Sequence, residues 1–174
     1  MKTLNKLAIT LIVACGACVA LGALRPQESP EFDGQQPTPF GLQASNGATL
    51  NLEDFHGRPV IIEFFATWCP PCRDQLTQLA NLHDKYADKG LGILALAVDP
   101  FETPETAKDI GPLAIKMKLP FPVAAATREL AQDYRYKGFP TTIILDGEGK
   151  IVRTFYGYHP MEKFEPLVQG LLTH

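Results

Sequence analysis

Apolar residues fall into distinct rhythms along the chain. Val60 to Ala66 (VIIEFFA) and Leu91 to Val98 (LGILALAV) are short, nearly unbroken apolar runs bounded by turn residues, as in strands covered on both faces. Between them Leu76, Leu79, Ala80, His83 and Tyr86 recur at helical spacing, which predicts a helix from Cys72 to about Lys89, ended by Gly90. Upstream, Leu42 to Leu52 (LQASNGATLNL) alternates about an Asn46-Gly47 pair, a hairpin signal, and EDFHGRP is a turn. Downstream the pattern predicts a helix from about Pro104 to Met117 and an extended piece at Phe121 to Val123. A further helix runs from an N-cap at Thr127 to about Tyr136. Strands at Thr141–Leu145 and Ile151–Tyr156 are joined by a DGEGK turn, and a closing helix spans Met161–Leu172. Strands alternating with helices, then a late hairpin, predict an α/β fold with a central mixed β-sheet flanked by helices.

The first 24 residues break this pattern. Lys2 and Lys6 precede an uninterrupted apolar run from Leu7 to Leu24, the layout of a secretory signal or N-terminal anchor. The run is at the lower edge of bilayer-spanning length, and the lysines would keep the N-terminus inside, so the remainder is expected to be exported. Three fates stay open: a retained anchor, cleavage near Ala20 or Ala23, or a lipoprotein signal. In the last case Ile12-Val13-Ala14-Cys15 acts as a permissive lipobox and Cys15 is lipidated. Residues 25–41, rich in Pro, Gln and acid, read as a linker holding a domain at 42–174 off the membrane.

Composition narrows the function. The chain has 174 residues, 45% hydrophobic and 20% charged, enough for one domain plus an appendage. A net charge of -3 with dispersed charges argues against nucleic-acid binding, and four cysteines are too few for a disulfide scaffold. A monomer is expected.

The chemistry concentrates in TWCPPCR, Thr67 to Arg73. A C-x-x-C pair can be half of a zinc site, a staple or a redox centre. A second pair, Cys15 and Cys18, lies in apolar sequence where a thiolate is disfavoured. Its separation from Cys69 and Cys72 exceeds the ~15–20 residues of zinc ribbons. His56, His83, His159 and His174 show no ligand spacing, so no metal and no cofactor are expected. Cys69 follows a strand and opens a helix, where partial positive charge stabilises a thiolate. Pro70 and Pro71 suit the first helical positions, leaving the Cys72 N–H free to point at the Cys69 sulfur. Glu63 stands in the apolar strand six residues earlier, on a face with Ile61 and Phe65. A buried carboxyl there has a raised pKa and can exchange a proton with Cys72; at a gap in the covering it would be merely solvated. Pro140 opens a late strand, a position that needs no ladder donor. PFETPETAKD, acidic, reads as a solvated loop and helix start.

W-C-P-P-C after a buried strand, G-F-P-T-T (Gly138 to Thr142) further on, and then D-G-E-G-K-I-V resemble the thioredoxin superfamily, and its exported TlpA/ResA-like branch most closely. The resemblance covers 42–174. It implies a thioredoxin-like fold with an N-terminal β-hairpin and an inserted strand-helix unit. It implies that Cys69 is the exposed nucleophile, Cys72 the buried resolving cysteine, and Cys69–Cys72 the redox disulfide. Pro140 would be a cis-proline beside the sulfurs, Phe139 would offer backbone groups to a substrate strand, and Trp68 would either shield the site or simply pack in the core. Glu63 matches the buried acid of thioredoxins; the branch's own acid after the second cysteine has no clear match, Asp74 and Gln75 standing nearby. The implied activity is that of a protein-disulfide reductase at the outer face of the cytoplasmic membrane or in the periplasm. Its partners would be disulfide-bearing proteins, apocytochrome c among them, and a membrane thiol carrier that re-reduces it. The same chemistry run as an oxidase or isomerase, a thiol peroxidase, and a copper- or haem-handling module are the alternatives.

Overall fold

The structure, a computed structural model, describes residues 34–173 together with a short strand at Glu28–Ser29. The apolar run 7–24 with Cys15 and Cys18, and most of 25–33, lie outside the described residues. Among the described residues, eight strands and five α-helices follow in the order β1 (Glu28–Ser29), β2 (Gly41–Gln43), β3 (Thr49–Asn51), β4 (Val60–Phe65), α1 (Pro70–Tyr86), β5 (Gly92–Ala97), α2 (Asp99–Glu102), α3 (Ile110–Met117), β6 (Val123–Ala125), α4 (Arg128–Asp133), β7 (Thr141–Leu145), β8 (Ile151–Tyr156) and α5 (Met161–Leu172).

The main sheet has the order β1-β8-β7-β4-β5-β6. β4 pairs parallel to β5 and antiparallel to β7, so the sheet is mixed as its alternation predicts. β4 and β5 are buried along their whole length, which is why both read as unbroken apolar runs. The α/β class and the helix-flanked mixed sheet are thus those expected. β2 and β3 form the predicted hairpin, with Gly47 at φ 85° in its turn, where a Cβ would be strained. Part of the 25–41 stretch joins the domain: Glu28 and Ser29 register with Phe155 and Thr154, and Gly34 N–H donates to the Ile151 carbonyl.

Two helices differ from expectation. The stretch expected as one helix from Pro104 to Met117 is a 3-10 segment, Pro104–Asp109, followed by α3. Pro112 explains the break: it has no N–H and its ring would crowd the carbonyl of Lys108, so an α-helix cannot run through it and starts at Ile110 instead. The helix expected to reach Tyr136 stops at Asp133, because Arg135 turns into the left-handed region at φ 54°. Its N-cap is as expected, with Thr127 Oγ1 accepting from Leu130 N–H at 3.1 Å.

Candidate active site

β4 delivers the chain to the site, and α1 begins at once. Cys69 is the N-cap of α1 in extended geometry, and Pro70 and Pro71 fill the first helical positions. The Cys72 N–H donates to Cys69 Sγ at 3.2 Å. The first turn carries no acidic residue, so nothing neutralises the positive helix end that faces the sulfur. Cys69 and Cys72 are disulfide-bonded, with their Cα atoms 5.3 Å apart. Arg73 folds back to donate from Nε and Nη2 to the Thr67 carbonyl at 3.0 and 2.7 Å, bracing the turn.

One expectation needs correction. Cys69 is not openly exposed: it retains 3% of its accessible surface against 0% for Cys72. Its sulfur is engaged with both the Cys72 sulfur and the Cys72 N–H. It is still the more accessible of the pair.

Trp68, by contrast, is 44% exposed and so is not a core residue. Its Nε1–H donates to Thr103 Oγ1 at 2.6 Å, and its ring meets Phe139 edge-on at 5.1 Å. The Phe139–Pro140 bond is cis, and Gly138 before it has φ 139°, a conformation that side chains rarely adopt. The Pro140 carbonyl is occupied by Gly157 N–H. No described residue bonds the Phe139 N–H or carbonyl.

Glu63 is completely buried and registers opposite Thr142 of β7. Thr142 Oγ1 donates to Oε2 at 2.6 Å, while Oε1 has no partner among the described residues. Burial pushes the carboxyl up to about 8; the Thr142 bond pulls the other way without winning.

The sequence reading missed Asp99. It directly precedes the acidic PFETPETAKD stretch, yet it is fully buried. Thr67 donates to it from its backbone N–H, at 3.0 Å to Oδ2, and from its hydroxyl; Thr106 Oγ1 donates at 2.6 Å. The available signal was its place directly after the buried run LALAV, the same logic that singled out Glu63. Beside this cluster lies an open cleft of about 290 Å³, lined by Thr67, Trp68, Arg73, Thr106, Leu113 and Lys116. His159 is buried, and its backbone N–H donates to the buried Gln75 Oε1 at 2.8 Å. Among the described residues no cluster of His, Cys, Asp or Glu is placed to hold a metal ion. None of their helices is long and apolar enough to cross a membrane.

Comparisons agree with this geometry. Residues 33–154 match the AhpC/TSA family. The chain is 34% identical over 119 residues to the thioredoxin-like protein YneN of Bacillus subtilis, covering 68% of each. It is 30% identical over 167 residues to the thiol-disulfide oxidoreductase ResA of Bacillus thuringiensis, covering 94% of this chain and 93% of that one. Among solved structures, a thiol:disulfide interchange protein of the thioredoxin family from Chlorobium tepidum superposes with a TM-score of 0.70 at 24% identity, over 80% of this chain and 97% of that one, which shows the shared fold. The chain belongs to the AhpC/TSA family, in the TlpA/ResA-like branch of the thioredoxin superfamily, and is a thiol–disulfide oxidoreductase.

Proposed function

We propose that the protein works outside the cytoplasm as a reductase of protein disulfides, apocytochrome c cysteines among its clients, and that a membrane thiol carrier returns it to the dithiol form. The observation that carries the reading is Cys69 at the N-cap of α1, its sulfur accepting the Cys72 N–H at a helix end free of acid. That environment favours the thiolate once the pair is reduced. The Cys69 thiolate attacks one sulfur of a client disulfide; a mixed disulfide forms and the client's other sulfur leaves as a thiolate, which takes a proton. Cys72 loses its proton to Glu63, attacks the Cys69 sulfur, and releases the second client thiolate. The client gains two electrons and the pair becomes the Cys69–Cys72 disulfide. A carboxyl held near 8 can take up and return that proton close to neutral pH. The backbone of Phe139, which no described residue bonds, lies beside Pro140 and supports docking of an extended client strand there. Export and tethering rest on Lys2, Lys6 and the apolar run 7–24, with Cys15 as the lipidation candidate.

Reduction potential tests the direction. A value near thioredoxin's, about -270 mV, is expected, whereas one near about -120 mV would make the protein an oxidant and sink the reductase reading. Trapping tests the roles: Cys72→Ser should accumulate client mixed disulfides on Cys69, and equal trapping by Cys69→Ser would reverse the assignment. The peroxidase alternative has less support. Thr67 and Arg73 are the groups that a peroxidatic cysteine would need, but the Thr67 hydroxyl is held by Asp99 and the Arg73 guanidinium by the Thr67 carbonyl. Peroxide consumption at ordinary peroxidase rates would restore it.

A further inference from the structure

The polar groups around Trp68 form a closed circuit. The indole Nε1–H donates to Thr103 Oγ1 at 2.6 Å. The Thr103 and Thr106 hydroxyl oxygens are 3.1 Å apart, and Thr106 Oγ1 is 2.6 Å from Asp99 Oδ1. Asp99 then holds the backbone N–H and hydroxyl of Thr67, the residue next to Trp68. The indole can only donate, and Asp99 acts only as acceptor. Each of the two hydroxyls has one proton. The Thr106 hydroxyl lies 2.6 Å from Asp99 Oδ1 and 2.8 Å from the Thr103 carbonyl. When it donates to Asp99, the shorter contact, its oxygen is left to accept from the Thr103 hydroxyl, and the chain runs from the indole to Asp99.

The circuit joins elements far apart in sequence. Thr103 and Thr106 belong to the segment between β5 and α3, and Asp99 opens α2 at the end of β5. Trp68 stays 44% exposed, although an exposed indole is free to turn unless something holds it. Here its nitrogen is tied to Thr103 while its ring stands edge-on to Phe139. Trp68 and Phe139 each sit beside a key residue in the chain, Cys69 and cis-Pro140 respectively, and Cys69 keeps only 3% of its surface.

We propose that Asp99, acting through Thr106 and Thr103, is a positioning residue for the Trp68 indole, and that this hydroxyl chain sets how readily bulky protein disulfides, as against small ones, reach Cys69. Asp99, Thr103 and Thr106 touch no reacting atom in this scheme; they act through Trp68. The discrimination part rests on the reading of protein disulfides as clients. The positioning part stands on the geometry alone.

Trp68 is the chain's single tryptophan, so its fluorescence reports the indole without interference. Thr103→Val removes the acceptor with little change of shape at a partly exposed position, and Thr103→Ser restores the hydroxyl. Thr106→Val breaks the chain one link further on. In the full-length, reduced protein, the valine variants should shift Trp68 emission and lower its anisotropy, while Thr103→Ser matches the parent. Rates of dithiol oxidation are then followed with insulin as the protein disulfide and oxidised glutathione as the small one. The ratio of the two rate constants should fall about threefold to tenfold in Thr103→Val, the effect of one lost hydrogen bond, and recover in Thr103→Ser. Unchanged emission and anisotropy in both valine variants would overturn the proposal, as would an equal fall with both disulfides. If the parent reduces oxidised glutathione but no protein disulfide, the client reading fails, and the fluorescence result decides the positioning role independently.

Discussion

Two carboxyl groups of this domain are sealed from solvent, and they are held in opposite ways. Glu63 lies within β4, accepts one hydrogen bond from Thr142, and has an oxygen without a partner among the described residues. Asp99 lies at the end of β5 and accepts from a backbone N–H and two hydroxyls. Burial of a polar group is costly unless hydrogen bonds replace the lost water. Glu63 is left short of such bonds, and its carboxyl is pushed up to about 8, into the range where a proton can come and go. Asp99 is supplied with them and ties the turn before Cys69 to the segment after β5. An acid with too few partners is equipped for proton transfer, and one with many is equipped to hold structure.

The contrast is sharpest in the pH dependence of stability. The folded-state pKa of Glu63 lies above its unfolded value, so the folded form binds the extra proton between about 4.5 and about 8. Its contribution is fully present below about 4.5, declines through this window, and is fully lost above about 8. Measured by urea unfolding against Glu63→Gln, the parent should lose roughly 1.4 kcal/mol per pH unit across that interval, several kcal/mol in all. Parallel pH curves for the two proteins would show that Glu63 is not held protonated. Kinetics come next. Glu63→Gln should slow resolution of the mixed disulfide at neutral pH by about a hundredfold, the low end for a lost general acid–base group. Stopped-flow rates within threefold of the parent would remove Glu63 from the proton path.

Asp99→Ala tests the other side. Leaving the Thr67 N–H and two hydroxyls without their acceptor should cost about 2–3 kcal/mol in urea unfolding, with the reduced pair still reacting with a small disulfide. A loss below about 1 kcal/mol would mean that Asp99 is not the structural anchor of the two. The smallest effect belongs to Thr142→Val. It removes the one interaction that lowers the Glu63 pKa, so the step that needs ionised Glu63 should move to higher pH, by less than about one unit. A shift to lower pH in the rate profile would mean that the Thr142 bond does not favour the ionised form of Glu63.

How far the site could be read in advance follows from how local each part is. Cys69-Pro70-Pro71-Cys72 carries its own instructions: two prolines suited to a first helical turn, with a cysteine at the cap and another one turn on. β4 and β5 announce themselves as apolar runs because both their faces are covered, and Glu63 stands out as the one charge in such a run. The same rule applied to LALAVD finds Asp99, but the acidic PFETPETAKD that directly follows it suggests solvent instead. Net acidity describes a segment's average, whereas burial is decided residue by residue.

The class of fold, the position of the redox pair at a strand-to-helix junction, and the presence of an acid in the strand leading to it are all legible along the chain. These follow from periodicity and from neighbours within a turn or two. What each acid touches depends on how the strands assemble. Glu63 meets Thr142 across 79 residues because β4 lies beside β7 in a register that places the two side by side. Asp99 reaches Thr67 across 32 residues, and Thr103 reaches Trp68 across 35, because the C-terminal ends of parallel β4 and β5 lie side by side. Strand order and register choose such partners, and a slip of one residue would turn each side chain to the other face. No local pattern encodes that choice, since it depends on the packing of the whole sheet.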